Sequence, residues 1–144
     1  MARHERLSER TSAEVLQDHV ELRELGELEE DLRRNYHPEV LVLTGRRVFK
    51  GHDGVRESAA LLAKAVDPES YRFRTLVIGD RMGFAEWTAS GEDVEIRDGV
   101  DSYLVEDGLI KAQTIYYTAI SSALSATTTN ADAAGAGRVK RVEG

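Results

Sequence analysis

Along this 144-residue chain, apolar and polar positions first repeat at helical spacing and later alternate. Val15, His19 and Leu22 fall on one face of a helix. Thr11 opens that helix, and Glu14 three residues later completes a capping-box pattern. Gly26 interrupts it. Leu25, Leu28, Leu32 and Tyr36 then recur at helical spacing, and Glu27, Glu29, Glu30, Arg33 and Arg34 give a charged, solvated opposite face. Pro38 predicts the stop. Val40 to Thr44, β-branched and aliphatic, predicts a short strand. Another helix is expected from His52 and Asp53, with Asp53 as N-cap and Val55, Ala59, Leu62 and Val66 as its buried stripe.

From Tyr71 onward the period is two. The alternation predicts strands over 71–78, 82–90, 93–106 and 109–119, with turns at Gly79-Asp80, Gly91-Glu92 and Asp107-Gly108. Asp98-Gly99 inside the long third strand predicts a bulge or bend. Helices first and an antiparallel meander afterwards point to an α+β domain, its helices on one face of a curved sheet. Three zones follow: a polar lead over 1–10, a single domain over 11–120, and a tail over 121–144. The tail is rich in small residues, has little to bury, and is expected to be disordered.

The last two strands are partly apolar on both faces. Asp101, Tyr103 and Val105 alternate with Val100 and Leu104, while Gln113, Ile115 and Tyr117 alternate with Thr114 and Tyr116. A sheet covered by helices on one side alone has a plainly polar second face, so a second subunit is expected on the outer face, making a homodimer. On the other face a carboxylate, two phenols and an amide need partners, and a cavity lined by them is a ligand site in outline.

Composition narrows the chemistry. Nineteen Lys plus Arg against 26 Asp plus Glu leave a net charge of −7, which argues against nucleic acid as a partner. There is no cysteine, so disulfides, thiolate metal sites and thiol nucleophiles are excluded. No apolar run has membrane-spanning length and the first ten residues lack a signal-peptide core, so a cytoplasmic protein without membrane contact is expected. The histidines show no metal-ligand spacing, Gly51-His-Asp-Gly54 lacks the lysine of a phosphate cradle, and no serine sits in a nucleophile elbow. Neither a metal nor another cofactor is expected.

Three segments in order carry a resemblance: Gly26-Glu-Leu-Glu-Glu-Asp-Leu-Arg-Arg-Asn-Tyr36-His-Pro-Glu-Val, Gly51-His-Asp-Gly-Val-Arg-Glu, and Gly99-Val-Asp-Ser-Tyr-Leu-Val-Glu-Asp-Gly-Leu-Ile110. Over residues 12–118 the chain resembles the nuclear-transport-factor-2-like superfamily, and within it the SnoaL-like polyketide cyclase and ketosteroid isomerase branch. The resemblance implies a cystatin-like α+β barrel: a cone of strongly curved mixed sheet around three helices, with a pocket at the wide end. It also implies roles. Asp101 matches the branch's oxyanion-hole aspartate, His19 a pocket tyrosine and Tyr117 a pocket tryptophan, while Trp87 and Tyr103 fall on pocket-lining positions. Thr44 and Ile115 stand where the isomerases and cyclases, respectively, carry a catalytic carboxylate, and neither residue transfers protons near neutral pH.

The expected activity is therefore binding of a small, largely apolar molecule bearing a carbonyl or hydroxyl. Cofactor-free acid–base chemistry of the isomerase, cyclase or dehydratase kind would follow, with Asp101 and His19 as catalytic residues. Asp101 would act as a neutral hydrogen-bond donor or, ionised, as a base. Tyr36, Trp87, Tyr103, Gln113 and Tyr117 are the expected substrate-binding residues. A non-catalytic binding or association module is the alternative.

Overall fold

The computed structural model describes residues 9–121. The expected tail from 122 onward and the lead up to residue 8 lie outside them. Among the described residues there are three helices and seven strands. In chain order these are α1 (Ser12–Glu24), α2 (Leu28–Asn35), β1 (Tyr36–Thr44), β2 (Val48–Lys50), α3 (Gly51–Ala63), β3 (Arg72–Gly79), β4 (Met82–Ser90), β5 (Val94–Glu106), β6 (Leu109–Tyr116) and β7 (Ala119–Ser121). No helix among them is long and apolar enough to cross a membrane.

Local chemistry sets the helix ends. Thr11 Oγ1 accepts the Glu14 N–H and Glu14 Oε1 accepts the Thr11 N–H, so the capping box forms. At the other end Gly26, with φ +74°, closes α1: its N–H reaches the Arg23 carbonyl, and the Glu27 N–H reaches that of Leu22. This reversal corrects the reading of Leu25 as part of the second helical stripe. Leu25 caps α1 and is exposed, and α2 starts only at Leu28. Tyr36 likewise belongs to β1 and not to the helix. Asp53 is no N-cap either: Lys50 precedes α3, and Asp53 lies in the first turn, paired with Arg56.

The sheet runs β2-β1-β6-β5-β4-β3, with β7 pairing β5 beside β6. All pairs are antiparallel except β1 with β6. That parallel ladder slips between Tyr36 and Leu41, where Pro38 offers no N–H. β2 and β3 are the free edges, so the sheet curves without closing. The predicted bulge is present, because Trp87 to Ala89 on β4 faces Gly99 to Ile96 on β5. There β5 changes partner from β6 to β7, and the expected strand over 109–119 breaks at Tyr117 and Thr118. Gly99 permits the bend and more: a Cβ there would come within 2.3 Å of the Trp87 indole, so its absence lets that ring lie on the sheet.

The helices cover the concave face. Val15, Leu16, Leu32, Val40, Val105 and Ile110 form one core cluster, and Leu62, Val66, Tyr71, Trp87 and Ile96 form a second. Arg10, at the end of the expected lead, donates to Asn35 Oδ1 at 2.9 Å and to the Gly108 carbonyl at 2.9 Å. It thereby ties the chain's entry to α2 and the β5–β6 turn.

Candidate functional site

Register on β5 and β6 sets Tyr103 opposite Gln113 and Asp101 opposite Ile115, with Asp101, Tyr103 and Gln113 all turned inward. α1 lays His19 over them, and α2 brings Asp31 behind His19. Asp31 Oδ2 lies 2.8 Å from His19 Nδ1, and His19 Nε2 lies 3.0 Å from the Tyr103 hydroxyl. That hydroxyl donates to Asp101 Oδ2 at 3.0 Å. Trp87 Nε1–H donates to Asp101 Oδ1 at 2.9 Å, and Gln113 Nε2–H donates to Oδ2 at 3.0 Å. Tyr36 O–H holds Gln113 Oε1 at 2.5 Å, which orients the amide. Asn35 Nδ2–H donates to the second Asp31 oxygen at 2.9 Å. No deeply buried side-chain nitrogen or oxygen among the described residues lacks a partner.

The proton inventory of this line is informative. Three contacts, Asp31–His19, His19–Tyr103 and Tyr103–Asp101, need three protons. With Asp101 ionised, His19 supplies two N–H groups and Tyr103 one O–H. With Asp101 protonated, each of the three residues His19, Tyr103 and Asp101 supplies one, every donor turned toward Asp31. Both placements satisfy every contact and carry the same total charge. The geometry thus lets a proton pass between Asp101 and His19 through the Tyr103 hydroxyl.

Burial pushes the Asp101 carboxyl above the ordinary aspartate range, against the opposing pull of the Trp87 hydrogen bond, the His19 charge and the Tyr103 and Gln113 bonds. Burial also lifts the Tyr36 and Tyr103 phenols well above their usual range, so both remain O–H donors. Beside Asp101 opens a cavity of about 890 Å3, within the range of small-molecule sites. A carboxylate accepts about four hydrogen bonds, and Asp101 uses three on protein donors, so one position remains for a guest.

Of the residues expected at the site, Asp101, His19, Tyr36, Trp87, Gln113 and Tyr117 line this cavity. Tyr103 does not. Its hydroxyl is held between His19 and Asp101, and its ring packs into the first core cluster, so it stands behind the wall as a link and not a substrate contact. Thr44 and Ile115 also line the cavity. Thr44 Oγ1 is engaged in the β1–β2 turn, where it accepts the Arg46 and Arg47 N–H groups. His37 and His52 serve the backbone: His37 Nδ1 accepts the Glu39 N–H, and His52 Nε2–H donates to the Tyr36 carbonyl. Among the described residues no cluster of His, Asp or Glu could hold a metal ion.

Sequence reasoning missed Asp31, Arg23 and Tyr71. Asp31 lies with Leu28, Leu32 and Asn35 at helical spacing, so an acid set in a buried stripe was the available signal. Arg23 follows His19 by one helical turn and reaches the same cavity. Its guanidinium lies over the Tyr71 ring, 5.2 Å from the centroid, and that ring packs on Trp87 with centroids 5.3 Å apart. Burial pushes the Tyr71 phenol up to about 12, with the Arg23 charge working against the rise.

Solved structures share this architecture. The chain is similar to an NTF-2 like protein of unknown function from Burkholderia xenovorans LB400, at 12% identity and TM-score 0.62 over 74% of this chain and 81% of that one. It is also similar to a Mesorhizobium loti protein assigned as a SnoaL-like polyketide cyclase, at 17% identity and TM-score 0.57, covering 75% of this chain and 100% of the other. A protein assigned as a ketosteroid isomerase from Kribbella flavida DSM 17836 matches at 12% identity and TM-score 0.61, over 74% of this chain and 76% of that one. No protein-family model and no curated protein matches the chain. The fold is the nuclear-transport-factor-2-like α+β cone, shared with cyclase-like and isomerase-like structures.

Proposed function

We propose that this protein takes a small, largely apolar molecule bearing a carbonyl or hydroxyl into the cone, where Asp101 gives or accepts a proton without a cofactor. The reaction would be an isomerisation, dehydration or cyclisation. One observation carries the reading: the Asp101 carboxyl faces the cavity at one end of a buried line, backed by Asp31, that accommodates a proton on Asp101 or on His19. The names given to two of the similar structures, a SnoaL-like polyketide cyclase and a ketosteroid isomerase, support it. In this reading the protein is a cytoplasmic homodimer joined through the outer sheet face.

Trp87 is the chain's single tryptophan and donates to Asp101, so its emission reports the state of that carboxyl without any ligand. A pH titration of the emission should show an inflection above the ordinary aspartate value of 3.8, and Asp101→Asn should abolish it. An inflection at the ordinary value would remove Asp101 as the proton-transfer group. Stability follows with a definite sign. The folded pKa is raised, so the contribution of protonated Asp101 is complete below 3.8 and is lost as pH rises through the folded value. Thermal melts should therefore favour the wild type over Asp101→Asn more at acidic than at neutral pH. For a turned-over ligand, Asp101→Asn should lower kcat by about 10²-fold or more.

A second reading, a binding module without catalysis, is favoured by Thr44 and Ile115 at the positions where the resembled enzymes carry carboxylates. Ligand affinity that survives in Asp101→Asn, with no turnover in either protein, would select it.

A further inference from the structure

The charge of the cavity lining departs from that of the chain. The chain is at −7, yet the lining holds Arg23, Arg46 and Arg47 against one carboxylate, Asp101. Arg47 pairs with Glu57 on the exposed side. Neither Arg46 nor Arg23 forms an ion pair among the described residues. Arg46 is exposed at the rim; Arg23 is half-buried inside. Asp101, though it shares the cavity with Arg23, is already committed to Trp87, Tyr103 and Gln113.

Arginine keeps its charge in any such setting and presents five N–H donors in a planar fork that fits a carboxylate. The Tyr71 ring under Arg23 orients that fork but cannot neutralise it. Every sealed polar side-chain atom among the described residues has a partner, so any unpartnered Arg23 donor is open to solvent, and Arg23 lines the cavity. Beside Arg23 stands an aromatic wall: Tyr71 packs on Trp87, and Trp87 on Tyr117 with centroids 5.8 Å apart.

We infer that the guest is a hydrophobic carboxylate, its anionic end on Arg23, its apolar body along Tyr71, Trp87 and Tyr117, and its carbonyl or hydroxyl toward Asp101. This rests on the reading of the cavity as a ligand site, and it narrows the guest from a neutral apolar molecule to an organic acid. Arg46 at the rim draws the anion in, an effect that salt screens, whereas Arg23 holds it.

Trp87 emission supplies the assay, with phenylbutyrate and phenylbutyramide as a matched pair of probes. The carboxylate should bind the wild type about tenfold or more tighter than the amide, as expected for a charged hydrogen bond at a partly desolvated site. Arg23→Met should bring the two affinities together by weakening the acid while sparing the amide. Arg23→Lys keeps a point charge without the fork, so it should retain part of the preference, and it serves as the test should the methionine variant fail to fold. Equal affinity of acid and amide for the wild type would overturn the anionic guest while leaving the cavity a ligand site. A preference that persists undiminished in Arg23→Met or Arg23→Lys would remove Arg23 as its source. Silence of Trp87 toward both probes at millimolar concentration would overturn the ligand site itself.

Discussion

The interior has two regions built on opposite principles. In the first, Leu16, Leu32, Val105 and Ile110 belong to one buried, mainly aliphatic cluster. In the second, Leu62, Tyr71 and Trp87 line an open cavity, and Ile96 is buried in the same cluster. The first is held by contact. The second is held apart by hydrogen bonds that fix each wall: Trp87 to Asp101 on one side, and Tyr36 through Gln113 to the same carboxyl on the other. A hollow survives folding only where its lining cannot collapse, and directional bonds prevent collapse where dispersion alone would promote it.

His19 and Asp31 sit on the seam between the regions, so the largest effect is expected there. His19→Leu leaves the fully buried Asp31 side chain with Asn35 as its remaining side-chain partner. Stranding a buried charge in this way costs about 3–5 kcal/mol, measurable by denaturant unfolding. Replacing both partners with leucine should recover part of the loss, because no uncompensated charge then remains. A single-variant cost below about 1 kcal/mol would mean that the seam does not hold the hollow open.

Next in size is a matched truncation in the two regions. Leu16 packs so closely over Gly83 that its Cδ1 lies 2.3 Å from where a Cβ at Gly83 would stand. Leu16→Ala therefore leaves a sealed void and should cost about 3 kcal/mol or more. Leu62 borders the existing cavity, so Leu62→Ala enlarges a space that water already reaches, and about 1–2 kcal/mol is expected. Equal losses would erase the distinction between packed and hollow regions.

What the sequence disclosed divides along the same line. Helix α1, its capping box, the Asp107-Gly108 hairpin turn, the bulge at Asp98 and Gly99, and the shared face of Asp101, Tyr103 and Gln113 all follow from local spacing, whereas the turn expected at Gly79-Asp80 falls one residue later, since Gly79 still pairs with Met82. The parallel ladder that joins 41–44 to 112–115 leaves no local mark, since neither strand's alternation names its partner. β2 is three residues long, too short for a period to show. At the site, Asp101 was legible as an acid in an apolar alternation, whereas Tyr103 was misplaced because periodicity gives a face and not a depth. Arg23 was missed because a long cation on a helix flank ordinarily belongs to solvent.

The smallest effect on stability is expected on the outer sheet face, where neither principle operates. Val77 and Met82 are 59% and 62% exposed, and Leu41, Leu43 and Phe84 share that convex side. Five large exposed apolar side chains suit a self-complementary interface, and a stable one hides about 800 Å2 per subunit. Phe84→Glu removes no interior contact, so the protomer should keep its unfolding free energy within about 0.5 kcal/mol. Its association should change instead, with the wild type sedimenting as a dimer and Phe84→Glu as a monomer. Affinity for a cavity probe should be the same in both, because the sheet separates this face from the hollow. A monomeric wild type would leave the convex face without its proposed partner. A loss of probe affinity in Phe84→Glu would show that the outer face and the hollow are coupled through the sheet.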